Sequence, residues 1–176
     1  MEFGGSEVVI NPLRIREDIV HELHYRLLLC FVGRTRLSSE ILRDQTSHYI
    51  SGDENLIEAL ARTKELAHEM KRALLRGKID EMGEMLHAGW ELKKRFSALI
   101  TSPWIDEVYE EARKHGALGG KLLGAGGGGH MLFFCPKSGK HELASHLARF
   151  DLNVIPFSFD PDGLTVWEVN NGRDPQ

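Results

Sequence analysis

The residues with the most chemical potential in this chain lie in Gly119-Gly120-Lys121-Leu122-Leu123-Gly124-Ala125-Gly126-Gly127-Gly128-Gly129, which runs straight into His130-Met131-Leu132-Phe133-Phe134-Cys135. Seven glycines fall within eleven residues. Each glycine in a regular element costs roughly 0.5–1 kcal/mol against alanine, so a cluster this dense signals a sharp turn or a close approach to the backbone. A floppy linker is a poor description, because linkers are seldom joined to an apolar strand without polar spacers. A rigid loop whose backbone N–H groups converge on an anion fits better.

Order along the chain narrows the chemistry. A dinucleotide fingerprint needs strand, glycine loop and then helix, whereas here a strand-like run follows the glycines; an oxidoreductase built on that fold is disfavoured. A Walker loop ends in Gly-Lys-Ser/Thr, whereas Gly129 is followed by His130 and Lys121 precedes the main run. A second basic cluster, Arg34-Thr35-Arg36, follows the apolar run Arg26–Val32. Two arginines on a turn can grip a sugar phosphate in bidentate fashion, or can be surface charges beside a helix start. Lys121 is either a cation near the site or a solvated lysine. His130 reads as a satisfied, partly buried histidine more than as a ligand. His21 and His24, and His141 and His146, lack the neighbouring carboxylate or cysteine set that a metal site needs, so no metal is assigned.

Composition removes other classes. The chain has 176 residues, 41% hydrophobic and 27% charged, with a net charge of −4. That is ordinary for one soluble globular domain. No basic run with interleaved aromatics suggests nucleic acid, and no apolar stretch is long enough for a bilayer span. Cys30 and Cys135 lie in apolar runs and read as buried free thiols of a reducing cytosol.

The elements that must position these groups follow from pattern. Glu7–Ile10 reads as a short edge strand stopped by Pro12, and Arg16–His24 as a short helix. Arg26–Val32 reads as a central buried strand ended by Gly33. A helix starts at Ser38 or Ser39. Ser51-x-x-Glu54 has capping-box spacing and opens a helix with Leu56, Leu60, Thr63, Ala67, Met70 and Leu74 inward, capped by Gly77. The next helix runs from about Ile79 with Met82, Leu86, Gly89, Trp90 and Phe96 inward. Ser102-Pro103 starts another, carrying Ile105, Val108, Tyr109 and Ala112 and stopping at Gly116. After the glycines come a strand, His130–Cys135, and an amphipathic helix, Ser138–Phe150, with Leu143, Ala144, Leu147 and Ala148 inward. The chain then closes with a hairpin: Ile155, Phe157 and Phe159 alternate with polar or small residues, Asp160-Pro161-Asp162-Gly163 turns, and Leu164–Val169 returns. Asn170 onward reads as a polar tail. Strands at both chain ends and helices between predict an α+β layer, a mixed or antiparallel sheet covered by helices on one face.

The glycine stretch and its strand resemble the third conserved motif of the GHMP small-molecule kinases, and most of all the bacterial D-glycero-D-manno-heptose 7-phosphate kinases. The resemblance extends through Asn11-Pro12-Leu13-Arg14-Ile15, Leu27-Leu28-Leu29-Cys30-Phe31-Val32-Gly33, Ser38-Ser39-Glu40-Ile41-Leu42 and Leu92-Lys93-Lys94-Arg95-Phe96, from about Glu2 to Val169. It implies a ferredoxin-like C-terminal kinase domain over residues 1–170, with a helical middle insertion and a polar tail at 171–176. It implies that Gly124, Ala125, Gly126, Gly127, Gly128 and Gly129 shape the nucleotide and substrate pocket, and that Arg34, Thr35, Arg36 and Lys121 lie near the acceptor. The family's Pro-x-x-x-Gly-Leu-Gly-Ser-Ser phosphate loop does not occur in this sequence, nor do the regions carrying the catalytic aspartate and the magnesium ligand. No catalytic residue is therefore assigned. The expectation is half of an ATP- and Mg2+-dependent cytoplasmic sugar kinase, inactive alone and holding no cofactor by itself. Its partners would be a sugar phosphate, ATP and the missing N-terminal half, or a second copy through the exposed face, with no nucleic acid or membrane. The alternative is a non-catalytic module binding a small ligand or a protein.

Overall fold

A computed structural model describes residues 1–34 and 37–167, with the side chain of Arg34 left out. Two short strands, β1 (Glu2–Gly4) and β2 (Glu7–Val9), pair into a separate hairpin. The helix α1 (Glu17–Arg26) leads into the strand β3 (Leu27–Arg34). The helical middle follows: α2 (Ser38–Ile50), α3 (Glu54–Leu75), a 3-10 turn at Ile79–Glu81, α4 (Met82–Lys94) and α5 (Pro103–Lys114). The chain closes with β4 (Gly119–Leu122), β5 (Gly128–Phe134), α6 (Lys140–Leu147) and β6 (Asn153–Ile155).

The main sheet has the order β4-β5-β3-β6 and is antiparallel throughout. Read from β3, the sequence strand, helices, strand, strand, helix, strand with the first strand central is the ferredoxin-like arrangement. The α+β class and the helical middle therefore agree with expectation.

Residues paired across antiparallel strands share a face, and the two faces differ. Leu28, Cys30, Val32, Met131 and Phe133 pack with Trp90, Ile105, Val108, Tyr109, Leu143 and Leu147 in the principal core. Helices also reach the other face, but only at one end. There Leu27 and Phe134 meet Ile19, Ala73, Ile79, Met82 and Leu86. Farther along that face Leu29, Phe31 and Leu132 are only half-buried and His130 is exposed.

Buried Arg26 ties the second core together. Its Nε donates to the Cys135 carbonyl at 2.5 Å, one terminal nitrogen donates to Asp80 Oδ1 at 2.8 Å, and its guanidinium lies 4.7 Å over the Phe134 ring. That pairing holds the Asp80 carboxyl below its usual range. Cys30 and Cys135 are free and buried; burial pushes their thiols up to about 12 and about 11, which suppresses the reactive thiolate.

Several local expectations change. The cap of α3 is Asp53, whose carboxylate accepts from the N–H groups of Asn55 and Leu56, while Ser51 ends α2. The fully buried residues of α3 are Leu56, Ala59, Leu66 and Ala73; Met70 and Leu74 are half-buried against the second core as read, whereas Leu60 and Ala67 are exposed. Gly33 does not end β3; it stays in the ladder after a bulge and pairs with Gly129. The glycine stretch begins as strand, since Gly119 and Gly120 belong to β4. Ala148 faces solvent in a 3-10 turn. The closing hairpin is absent from the described residues: β6 ends at Ile155, and residues 156–167 carry no strand. Phe157 and Phe159 instead pack around His24, whose Nε2 lies 2.7 Å from the Phe157 carbonyl. The Asp160 turn is present, with Oδ1 accepting from the N–H groups of Asp162 and Gly163. Glu168, Val169 and the tail lie outside the described residues.

Helix α4 lies against the β4 edge so closely that a Cβ on Gly119 would stand 1.9 Å from the Gly83 carbonyl oxygen. The obstacle is backbone and cannot rotate away. Overpacking of a well-filled core costs about 1–3 kcal/mol, and Gly119→Ala is expected at or beyond the top of that range in urea unfolding. Gly4→Ala, with open space around its Cα, is expected to change stability by less than about 0.5 kcal/mol. Equal effects would show that the helix–strand contact is looser than described.

Candidate functional site

The glycine loop is the turn between β4 and β5. Gly124, Gly126, Gly127, Gly128 and Gly129 all have positive φ, which L side chains resist. Two of the loop's N–H groups serve the fold: Leu123 donates to the His130 carbonyl and Gly127 to the Ile100 carbonyl, both at 2.8 Å. Gly126 is buried with φ +125°, and a Cβ there would come within 3.0 Å of Ile100 Cα. The loop is therefore seated on Ile100, the residue just before the Thr101-Ser102 segment that starts α5. There Ser102 accepts from the Ile105 N–H and Pro103 occupies the first turn.

A lysine that the sequence reading gave no site role holds the other side. Lys93, in the last turn of α4, donates from Nζ to the Leu122 carbonyl at 3.0 Å and the Gly124 carbonyl at 2.6 Å. Burial, and then the neighbouring charge of Lys121, lower its pKa from 10.5 to about 8. The sequence signals were a cation near a helix C-terminus, which is common for reasons of the helix dipole, and its place in the Leu92–Phe96 stretch of the family resemblance, to which no role was attached.

The other candidates fall around this loop to different degrees. Lys121 pairs with Leu132 across the β4–β5 ladder and is half-buried on the less covered sheet face. In the next row of that face exposed His130 lies opposite Phe31, with ring centroids 5.3 Å apart. Arg34 is the last residue of β3 and its backbone pairs with Gly128, so the register sets it beside the loop. Thr35 and Arg36 lie outside the described residues. The arrangement is a turn of near-naked main chain gripped by one lysine, with a second lysine and the Arg34 position at its margin. A turn without side chains, bordered by cations, suits a phosphate-bearing ligand.

Residues 70–151 match the family profile described as GHMP kinases C terminal, and this part of the chain belongs to that family. The chain is 34% identical over 170 residues to the D-glycero-alpha-D-manno-heptose 7-phosphate kinase of Campylobacter jejuni, covering 96% of this chain and 50% of that protein. It is 32% identical over 153 residues to the bifunctional fucokinase/GDP-fucose pyrophosphorylase of Arabidopsis thaliana, covering 85% of this chain and 14% of that protein. Its fold superposes on the crystal structure of a D-glycero-D-manno-heptose 1-phosphate kinase from Bacteroides thetaiotaomicron with a TM-score of 0.60 and 28% identity, covering 91% of this chain and 42% of the other. The chain thus spans half or less of the length of these relatives. Among the described residues no helix is long and apolar enough to cross a membrane.

The depressed Lys93 pKa has a sign that can be tested. The folded chain releases this proton near pH 8, whereas the unfolded chain keeps it to about 10.5. Between those values the unfolded state binds more protons, so this group makes stability rise with pH. The unfolding free energy of the native chain relative to Lys93→Met is expected to move in favour of the native chain from pH 8 to 10.5. A flat difference across that window would mean that the ammonium is not desolvated.

Proposed function

We propose that this chain is the C-terminal half of an ATP-dependent sugar kinase acting on a heptose phosphate, with residues 1–170 as its second domain. The observation that carries this reading is the glycine turn itself, with Lys93 Nζ on its Leu122 and Gly124 carbonyls and Lys121 on the adjoining strand at its margin. The repulsion between the two lysines lowers the Lys93 pKa beyond what burial alone does, and an anionic ligand at the turn would relieve it. Gly124, Ala125, Gly126, Gly127, Gly128 and Gly129 would offer main chain at close range to nucleotide or substrate phosphates. Lys121, Arg34, Thr35 and Arg36 would border the acceptor. The kinship with two heptose phosphate kinases supports the choice of sugar.

Phosphoryl transfer is mostly positioning and charge stabilisation. In this reading ATP and Mg2+ are held in the complete enzyme, and the chain alone holds neither and is inactive. The N-terminal half would pack on the apolar side chains left exposed at the β1–β2 hairpin and beyond it, including Phe3, Val8, Val9 and Ile10. If no such half is joined, a second copy of the chain is the alternative occupant. A cytoplasmic location is part of the proposal.

The test joins the chain to the N-terminal half of the Campylobacter relative and measures transfer from ATP to D-glycero-D-manno-heptose 7-phosphate. The chimera is expected to turn over while the isolated chain does not, and Lys121→Ala in the chimera is expected to lower kcat/KM at least about tenfold, the loss of one charge-assisted phosphate contact. Steady turnover by the isolated chain would overturn the division into halves. A chimera indifferent to Lys121→Ala would overturn the placement of phosphate at the turn.

A further inference from the structure

We infer that this chain carries a divalent transition-metal site, filled by Zn2+, formed by Glu111 and His115 of the α5 end and His146 of α6. The three residues each present one ligand atom, and these atoms lie within 4.8 Å of one another. The site is separate from the glycine turn and does not depend on the kinase reading.

The fold brings the set together. Glu111 and His115 are one helical turn apart, the i, i+4 spacing that puts two side chains on one face. The helix α6 packs beside α5, since Leu143 and Leu147 share the principal core with Val108 and Ala112. That packing delivers His146 to the same spot: its Nε2 lies 3.6 Å from Glu111 Oε2, and His115 Nδ1 lies 3.9 Å from the same oxygen. The two imidazoles stack with centroids 3.3 Å apart and planes within 15°. Along the sequence the nearest histidine to His146 is His141, and that pair offers nothing; the carboxylate and second histidine come from a different helix.

Two details favour a metal over a plain ion-pair cluster. His146 Nε2 is buried and has no hydrogen-bond partner, although a buried polar nitrogen left unpaired is costly. A metal would satisfy it. His115 Nδ1 lies 2.9 Å from the Glu111 backbone carbonyl. A carbonyl oxygen only accepts, so Nδ1 carries the proton and the lone pair is on Nε2; the 3.9 Å approach to Glu111 Oε2 is made by the protonated nitrogen, and the ring must turn to bring Nε2 to the metal. A histidine whose far nitrogen donates to a backbone carbonyl is the usual support of a metal-binding imidazole.

Glu111 can serve without losing its present partner. Its Oε1 is 2.7 Å from Lys114 Nζ, while Oε2 is the oxygen that faces both histidines. Monodentate ligation through Oε2 keeps Lys114 on the outer oxygen. Zinc held at about 2.0–2.2 Å by two imidazoles and one carboxylate, with water as the fourth ligand, is an established donor set. Tetrahedral ligands at that radius stand roughly 3.3 Å apart, so the three atoms must draw together and the stacked rings must fan toward a common point. His115, at the end of α5 with a side chain 38% exposed, has the room to turn. The metal would then staple α5 to α6.

The experiment is a titration of the chelator-stripped chain with Zn2+ by calorimetry, with Co2+ absorption as the reporter of ligand geometry. The expected result is saturable binding of one Zn2+ per chain, a raised Tm and the visible bands of a four-coordinate Co2+ site. His115→Ala and Glu111→Gln are each expected to weaken binding at least about tenfold, and His21→Ala is expected to leave it unchanged. His115 lies at a helix end, so His115→Ala should keep the native circular dichroism spectrum even if His146→Ala does not fold. Absence of saturable binding, or a native affinity in folded His115→Ala, would overturn the site.

Discussion

The contact on which the rest depends is the meeting of two glycines, Gly83 in α4 and Gly119 in β4. A Cβ on Gly119 would fall 1.9 Å from the Gly83 carbonyl oxygen, and one on Gly83 would fall 2.5 Å from Leu118 Cβ. Helix and edge strand therefore approach backbone to backbone. That approach sets the height of α4 above the sheet, and Lys93 is ten residues beyond Gly83 on the same helix. At 1.5 Å per residue the separation is about 15 Å along the axis, far enough to bring the lysine to the end of β4. A helix lifted by even one methyl group would draw its ammonium away from the Leu122 and Gly124 carbonyls.

The turn between β4 and β5 is thus held from two directions. Lys93 grips two carbonyls on one side, and the Ile100 carbonyl takes the Gly127 N–H on the other. This resolves the apparent conflict between many glycines and a fixed shape. Glycine supplies the backbone angles, and neighbours remove the freedom that glycine would otherwise keep. A turn fixed before a ligand arrives does not spend binding energy on ordering itself.

How much of this was legible differs by element. The α5 start was plain, because Ser102 and Pro103 act through local geometry alone. The α+β class was legible from the spacing of apolar runs. The α3 stripe was misread at two positions because Leu60 and Ala67 are as apolar as the true inward residues Ala59 and Leu66; only the neighbouring α4 decides which side is buried. The strand character of Gly119 and Gly120 was hidden because glycine carries no strand propensity, and what places them in β4 is the need for a surface without side chains. Lys93 lay within the Leu92–Phe96 stretch of the family resemblance, but its role was hidden for a similar reason: the groups it binds are main-chain carbonyls, which leave no mark in a sequence. The closing hairpin failed because alternating Ile155, Phe157 and Phe159 can be satisfied by aromatic packing on His24 as well as by a partner strand.

The two faces of the sheet then divide the labour. Leu28, Cys30, Val32, Met131 and Phe133 face a filled core and leave no room for chemistry. The opposite face is closed at the Arg26 end, where a buried guanidinium is satisfied by the Cys135 carbonyl and by Asp80 and lies over the Phe134 ring. Along β3 from Leu27 that cover thins through Leu29 to Phe31, and the glycine turn meets the strand at Gly33 and Arg34. Lys93 reaches the turn from α4 and is partly desolvated there, and Lys121 stands on the more open face. A charge partly stripped of water beside a like charge is an arrangement that folding alone does not favour. Lys93 meets part of that cost through the Leu122 and Gly124 carbonyls, and an anion at the turn, as in the proposed function, would offset the repulsion that remains.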